Sequence, residues 1–262
     1  MTVPKALTIA GSDSGGGAGI QADLKTFSAF RVFGMSVLTA ITAQNSVGVQ
    51  GVHELPAAFV RSQLDSVLSD FGADAVKIGM LSSAAITGAV ADGLAAHRHG
   101  PIVLDPVMIA KSGDALLRPD AKRALVERAL PLADVVTPNL PEAAALAGMA
   151  VDDEKAMEEA ARRIKTLGAR AVLVKGGHLA DSANDILWDG TRMTRYEAAR
   201  VGTASLHGTG CTLSSAIAAG LARGRALEDA IREAKAYVTA AIREGFAAGH
   251  GVGVLRHFVE RW

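Results

Sequence analysis

Short runs rich in strand-forming residues alternate along this chain with longer stretches of helical period, and no other feature restricts the possible folds as much. The strand-like runs are Ala6 to Ala10, Ser36 to Ile41, Ala75 to Ile78, Ile102 to Asp105, Val135 to Thr137 and Ala171 to Lys175. Between and after them, apolar residues recur at spacings of three and four. Val60, Leu64, Val67, Leu68 and Phe71 form one such stripe, and Leu213, Ile217 and Leu221 another. Leu227, Ile231, Val238 and Ile242 mark a further helix near the carboxyl end. Such repeated βαβ units build a mainly parallel sheet with helices packed on it. Asp189-Gly190, between Asp185 to Trp188 and Arg192 to Tyr196, predicts a tight hairpin and hence an antiparallel edge. Asp152 to Glu159 reads as an exposed, acidic helix start. No repeat, charge block or Pro/Ser-rich linker divides the chain, so one domain over residues 1–262 is predicted.

Charge narrows the function. Lys plus Arg and Asp plus Glu number 27 each, so no net field draws in nucleic acid or an anionic membrane, and an anionic ligand must be held by local groups. The lone cysteine, Cys211, cannot form an internal disulfide, which fits a reducing compartment. The apolar run at the amino end is too short for a secretory signal, and no stretch reaches the ~18 uncharged residues of a membrane helix. A cytoplasmic protein is the resulting expectation.

In open parallel sheets, ligands bind beyond the carboxyl ends of the strands. After the first strand comes Gly11-Ser12-Asp13-Ser14-Gly15-Gly16-Gly17-Ala18-Gly19, whose glycines permit close backbone approach to a ligand or simply form a surface turn. It lacks the Gly-Lys-Ser/Thr ending of a Walker A loop. Gln44-Asn45 follows the second strand, with amides that suit the edge of a heteroaromatic ring or an ordinary polar turn. Strand four ends in Asp105-Pro106. Thr137-Pro138-Asn139-Leu140-Pro141-Glu142 follows strand five. There Asn139 and Glu142 either cap a helix or offer oxygens to Mg²⁺. Lys175-Gly176-Gly177-His178 ends strand six and can meet phosphate through its lysine, while His178 reads as a loop residue.

His207-Gly208-Thr209-Gly210-Cys211-Thr212 runs directly into a helix. Glycines at a helix start present unpaired N–H groups at the positive end of the dipole, which makes an anion site without any net charge. The same dipole predicts a thiol pKa for Cys211 below the usual ~8.5, unless the residue is there only for its small size.

Taken together, Ala10-Gly11-Ser12-Asp13, Gly16 to Thr26, Lys77-Ile78-Gly79-Met80-Leu81, Asp105-Pro106-Val107-Met108, Thr137 to Ala143, Lys175 to His178 and His207 to Thr212 resemble the hydroxymethylpyrimidine/phosphomethylpyrimidine kinases of thiamine biosynthesis, in the same order over nearly the whole chain. The resemblance implies a ribokinase-like three-layer α/β/α sandwich with a central mainly parallel sheet, ATP and Mg²⁺ as cofactors, and a homodimer. It places the pyrimidine among Gly11, Ala18, Asp23, Gln44, Met80, Val107 and Cys211. It assigns Asp105, Asn139, Lys175 and Lys235 to the nucleotide and Glu142 to the metal. Gly208, Thr209, Gly210 and Cys211 become the catalytic anion hole, with Cys211 as a potential proton acceptor.

Relatives that phosphorylate sugars carry an Asp where Cys211 stands, which argues against ribose-like substrates. Gly15 in place of a common Ser, and the absence of Pro from His250-Gly251-Val252-Gly253-Val254, are lesser departures. Competing readings are a pyridoxine/pyridoxal kinase, a non-catalytic pyrimidine or nucleotide sensor and, with no second cysteine to support it, a thiol-redox protein.

Overall fold

Side-chain alternation explains the layering in a computed structural model, which describes residues 2–108, 119–177, 179, 182–201 and 207–262. In chain order the elements are β1 (Lys5–Asp13), α1 (Gly19–Ala29), β2 (Phe33–Asn45), β3 (Gly48–Glu54), α2 (Ala57–Asp70), β4 (Ala75–Ile78) and α3 (Ala84–Ala96). They continue with β5 (Ile102–Leu104), α4 (Pro119–Ala124), β6 (Val135–Val136), α5 (Leu140–Ala147), α6 (Glu154–Lys165), β7 (Val172–Val174), β8 (Asp185–Trp188), β9 (Met193–Tyr196), α7 (Thr209–Ala222) and α8 (Leu227–Arg243). Leu7, Ile9, Val76, Ile78, Ile102 and Leu104 face one way and bury against Val60 and Leu64 of α2 and Ile86 and Val90 of α3. Ala6, Ala75 and Val103 face the other way, against Phe27 of α1, Ala216 and Ile217 of α7, and Ile231 and Tyr237 of α8. Each apolar cluster fills one side of the sheet, which is the three-layer arrangement.

The described residues form a nine-stranded sheet of order β3-β2-β1-β4-β5-β6-β7-β8-β9. Pairing is parallel from β2 to β7, while β3 at one edge and β8 and β9 at the other run antiparallel. The chain winds from β1 out to β2 and then returns to β4 on the other side of β1. Strand order therefore reverses between β1 and β4, where an open α/β sheet leaves its crevice.

The structure corrects the strand limits at this crevice. β1 continues through Gly11 to Asp13 with a register irregularity between Ala10 and Ser12, and β2 continues to Asn45, because β2 turns back into the hairpin partner β3. β3 escaped sequence reading because its two glycines and mostly exposed side chains carry no apolar alternation. The Asp189-Gly190 hairpin forms between β8 and β9.

Residues 246–259 strap the fold behind α7. Phe246 and His207 both bridge to Val254, and the Tyr237 hydroxyl donates to the His257 carbonyl at 2.7 Å. The His257 imidazole is buried, with Nε2 3.0 Å from the Thr212 hydroxyl. The Thr212 hydroxyl also donates to the Gly208 carbonyl at 2.8 Å, which ties His257 to the start of α7. Burial holds the His257 pKa down at about 4, below an ordinary value of about 6.5. A depressed histidine favours folding above its ordinary pKa and loses that contribution as pH falls towards the folded value. Between pH 7 and pH 5 this group therefore costs about 2 kcal/mol of stability. Denaturant titrations at the two pH values are expected to show that loss, and His257→Gln to remove most of it.

A candidate phosphoryl-transfer site

The first glycine-rich loop folds around one carboxylate. Asp13 accepts hydrogen bonds from the N–H groups of Gly15, Gly17 and Ala18 at 2.8, 3.0 and 2.8 Å, and its Oδ2 lies 3.1 Å from His207 Nε2. Burial works to raise the Asp13 pKa, but the bonds from His207 and the loop amides outweigh it and hold the carboxyl below its usual range. Gly11 packs closely under Met80, whose methyl lies 2.6 Å from where a Cβ would stand. The ends of β1 and β4 thus converge on one wall.

Gly208 starts α7 in the left-handed region at φ +88°, and a Cβ on it would collide with the Gly17 carbonyl oxygen. The glycine turn and the first loop therefore touch backbone to backbone. His207 N donates to Gly253 O at 2.9 Å, fixing the turn from behind. A Cβ on Gly210 would lie 3.2 Å from the Lys175 ammonium and 3.3 Å from an Asp105 oxygen, so that pair stands directly across from the turn.

Lys175 Nζ donates to Asp105 Oδ1 at 2.7 Å, and both are buried or nearly so. Desolvation would lower the Lys175 pKa, but Asp105 and Glu142 reverse the sign and raise it, so the ammonium stays charged. Asn139 and Glu142 form a reciprocal capping box at the start of α5. Glu142 N donates to Asn139 Oδ1 at 2.9 Å, and Asn139 N donates to Glu142 Oε2 at 2.8 Å. Glu142 is also buried against a second carboxylate. Burial lifts its pKa to about 7, against the pull of Lys175 and with a further push from Asp105. Capping and cavity-facing roles coexist in these residues.

A cavity of about 1030 Å³ joins these walls. Gly11, Ala18, Gln44, Met80 and Val107 line it, as do Asp105, Asn139, Glu142, Lys175, Lys235 and the turn from Gly208 through Thr209 and Gly210 to Cys211. Lys235 is pinned at the wall by Asp185 at 2.6 Å and the Ala183 carbonyl at 2.7 Å. His178 lies outside the described residues.

Two sequence expectations are corrected. Asp23 does not reach the cavity. It is fully buried beneath the floor, where it accepts from Lys77 at 2.8 and 3.0 Å, from Thr8 at 2.6 Å and from Ser215 at 2.6 Å. Three donor groups on three other elements make four contacts that consume its oxygens, leaving none for a ring. The Cys211 thiol, expected to be acidic, is instead pushed up to about 11. Burial is the main cause. Lys77 and the Gly19 N–H pull it down less than burial and the Asp23 and Asp105 carboxylates push it up. Helix-end geometry was legible in sequence, but the desolvation of the sulfur was not.

Sequence reasoning also left Asp13, Lys77 and His207 without roles, although each falls in a quoted motif. Their partners lie on other elements, so only the adjacency of His207 to the glycine turn offered a signal.

A glycine turn at a helix start, a lysine–carboxylate pair opposite it and an apolar, amide-edged recess at the switch point of an α/β/α sandwich are the features of a ribokinase-like small-molecule kinase. The family model described as phosphomethylpyrimidine kinase matches residues 13–256. The hydroxymethylpyrimidine/phosphomethylpyrimidine kinase of Rhizobium meliloti (strain 1021) is 56% identical over 98% of this chain and 98% of its own. The solved structure of phosphomethylpyrimidine kinase from Clostridium difficile superposes with a TM-score of 0.83 at 45% identity, covering 92% of this chain and 100% of that one. An ADP complex of Bacillus subtilis pyridoxal kinase superposes with a TM-score of 0.91 at 42% identity, covering 98% of each chain. The chain belongs to the phosphomethylpyrimidine kinase family.

Proposed function

We propose that residues 1–262 form one kinase domain that transfers the γ-phosphoryl group of ATP to 4-amino-5-hydroxymethyl-2-methylpyrimidine, and then to the resulting monophosphate, in thiamine biosynthesis. The observation that carries this reading is that the Gly208–Cys211 turn and Lys175 line the same cavity as Gln44, Met80 and Val107. The ring rests in the recess formed by Gly11, Ala18, Met80 and Val107, with the Gln44 amide at its polar edge. Lys175, Asp105 and Asn139 face the nucleotide phosphates, and Lys235 supports that end of the cavity through Asp185.

The substrate hydroxymethyl oxygen forms a bond to the γ-phosphorus while the bond from phosphorus to the ADP oxygen breaks, and the hydroxyl proton passes late to a phosphate oxygen and from there to water. Amides of the anion turn meet the charge on the transferring phosphoryl oxygens. Asp105 is paired with Lys175, and the raised pKa of Glu142 marks a carboxyl short of positive charge, which a cation arriving with the nucleotide would supply. Glu142 would hold Mg²⁺, a hard cation that takes carboxylate oxygen. When bound, it neutralises charge on the phosphates.

A thiol with a pKa of about 11 is no preformed base at neutral pH. Cys211→Ala is therefore expected to retain turnover within about tenfold, whereas loss of a true general base costs about 10²–10⁴-fold. Steady-state kinetics of the variant decide between these.

ADP release with Mg·ATP and, in parallel, hydroxymethylpyrimidine, its monophosphate, pyridoxine, pyridoxal and ribose tests the assignment. The pyrimidines are expected to give the highest kcat/KM. Higher values for the B6 vitamers would favour pyridoxal kinase, the reading to which the Bacillus subtilis likeness points, and no turnover at all would favour a sensor. Among the described residues no helix is long and apolar enough to cross a membrane.

A further inference from the structure

His207 joins three parts of the site that the sequence keeps far apart. Its Nε2 lies 2.9 Å from the Gln44 side-chain amide and 3.1 Å from Asp13 Oδ2. The other end of the same amide lies 3.1 Å from the Thr42 hydroxyl, which also contacts the Ser12 carbonyl at 2.9 Å. The Gln44 main chain is already held on both sides, by Ser14 Oγ accepting from its N–H at 2.8 Å and donating to its carbonyl at 2.7 Å. A half turn of the carboxamide exchanges its oxygen and nitrogen ends while leaving both contacts in place.

Counting protons selects one orientation. With the amide nitrogen towards His207, the imidazole nitrogen must accept, so its lone pair faces the Asp13 carboxylate, and the single Thr42 proton is divided between two oxygens. With the amide oxygen towards His207, one Nε2–H is shared by Asp13 and Gln44, the amide nitrogen donates to Thr42, and the Thr42 proton goes to Ser12 alone. Every acceptor then meets a donor.

We propose that His207 is a positioning residue that fixes which end of the Gln44 carboxamide meets the substrate ring, and so selects a ring edge by the order of its donor and acceptor. This rests on the kinase reading above. An amino group beside a ring nitrogen, as in an aminopyrimidine, supplies one donor and one acceptor to the two ends of the amide. A ring edge without that ordered pair leaves one end unpaired. The backbone bond from His207 to Gly253 does not involve the imidazole, so the anion turn keeps its rear support when the side chain changes.

Two measurements test the proposal. In the full chain labelled with ¹⁵N-histidine, the His207 signals are identified by their absence from His207→Leu. They are expected to show the tautomer protonated at Nε2, and a ring protonated only at Nδ1 would overturn the proposal whatever the substrate turns out to be. In kinetics, His207→Leu is expected to raise KM for hydroxymethylpyrimidine about tenfold, the worth of one buried hydrogen-bond set. The value of kcat should change by less than about threefold and KM for ATP by less than about twofold. Placed in a Gln44→Ala background, the same substitution is expected to add nothing further. Additive losses in the double variant, or an equal rise in KM for ATP, would mean that His207 merely holds the loops together. Absence of turnover by the unsubstituted enzyme would count against the substrate assignment and leave the tautomer measurement to judge His207.

Discussion

Gly208→Ala is expected to lower kcat/KM by about 10²–10³-fold, the scale on which losing an oxyanion-type donor is felt. Two costs coincide at this position. The left-handed backbone at φ +88° disfavours any Cβ by about 1–2 kcal/mol, and that Cβ would also strike the Gly17 carbonyl oxygen. The first loop cannot step aside freely, because the Gly17 and Ala18 amides are both committed to Asp13. The turn must give way, and with it the aim of the amides at the head of α7. Gly88→Ala, within α3 where an added Cβ meets nothing within 4 Å, serves as the control. It should keep full activity and gain up to about 1 kcal/mol of stability from helix propensity. Steady-state kinetics and denaturant titration of both variants check the contrast, and near-normal turnover in Gly208→Ala would remove the turn from catalysis.

Lys77→Met is expected to destabilise the protein by about 3–5 kcal/mol, the usual result of leaving one half of a buried ion pair uncompensated. Lys77 and Asp23 are both fully buried, and the carboxylate draws Thr8 of β1, Lys77 of β4 and Ser215 of α7 towards α1. The carboxylate keeps the Lys77 pKa raised even though burial alone would depress it. Without the ammonium, Asp23 must take up a proton or draw in water, and the contacts among α1, α7 and the sheet loosen beneath the cavity. Lys77→Met combined with Asp23→Asn should recover at least half of the lost stability, because the remaining buried groups are then neutral and hydrogen-bonded. Chemical denaturation of the single and double variants is the measurement. A single variant as stable as the unsubstituted protein would show that the pair contributes nothing.

Legibility in the sequence follows the range of the forces involved. Ala75–Ile78 was read to the residue, and the limits of β5, β6 and β7 to within a residue at either end, because these strands are buried on both faces and appear as unbroken apolar runs. β3 was invisible because it is held by hairpin pairing with β2 rather than by burial of its side chains. The glycine turn before α7 was legible because helix-end chemistry is local, and so was the capping arrangement of Asn139 and Glu142, which spans four consecutive residues. Asp23 was misplaced because its partner Lys77 lies 54 residues away and nothing near either residue announces the pairing.

The order of residues by itself determined the alternating α/β architecture, the position of the loops beyond the strand ends and the glycine turn at the start of α7, since each depends on periodicity or on a few neighbouring residues. Tertiary structure alone decided which charges are buried together, that the Cys211 thiol stays protonated and that His207, Asp13 and Gln44 meet within hydrogen-bond distance. Those outcomes depend on desolvation and on distances of about 3 Å between segments far apart in the chain, and both quantities exist only once the chain has closed on itself.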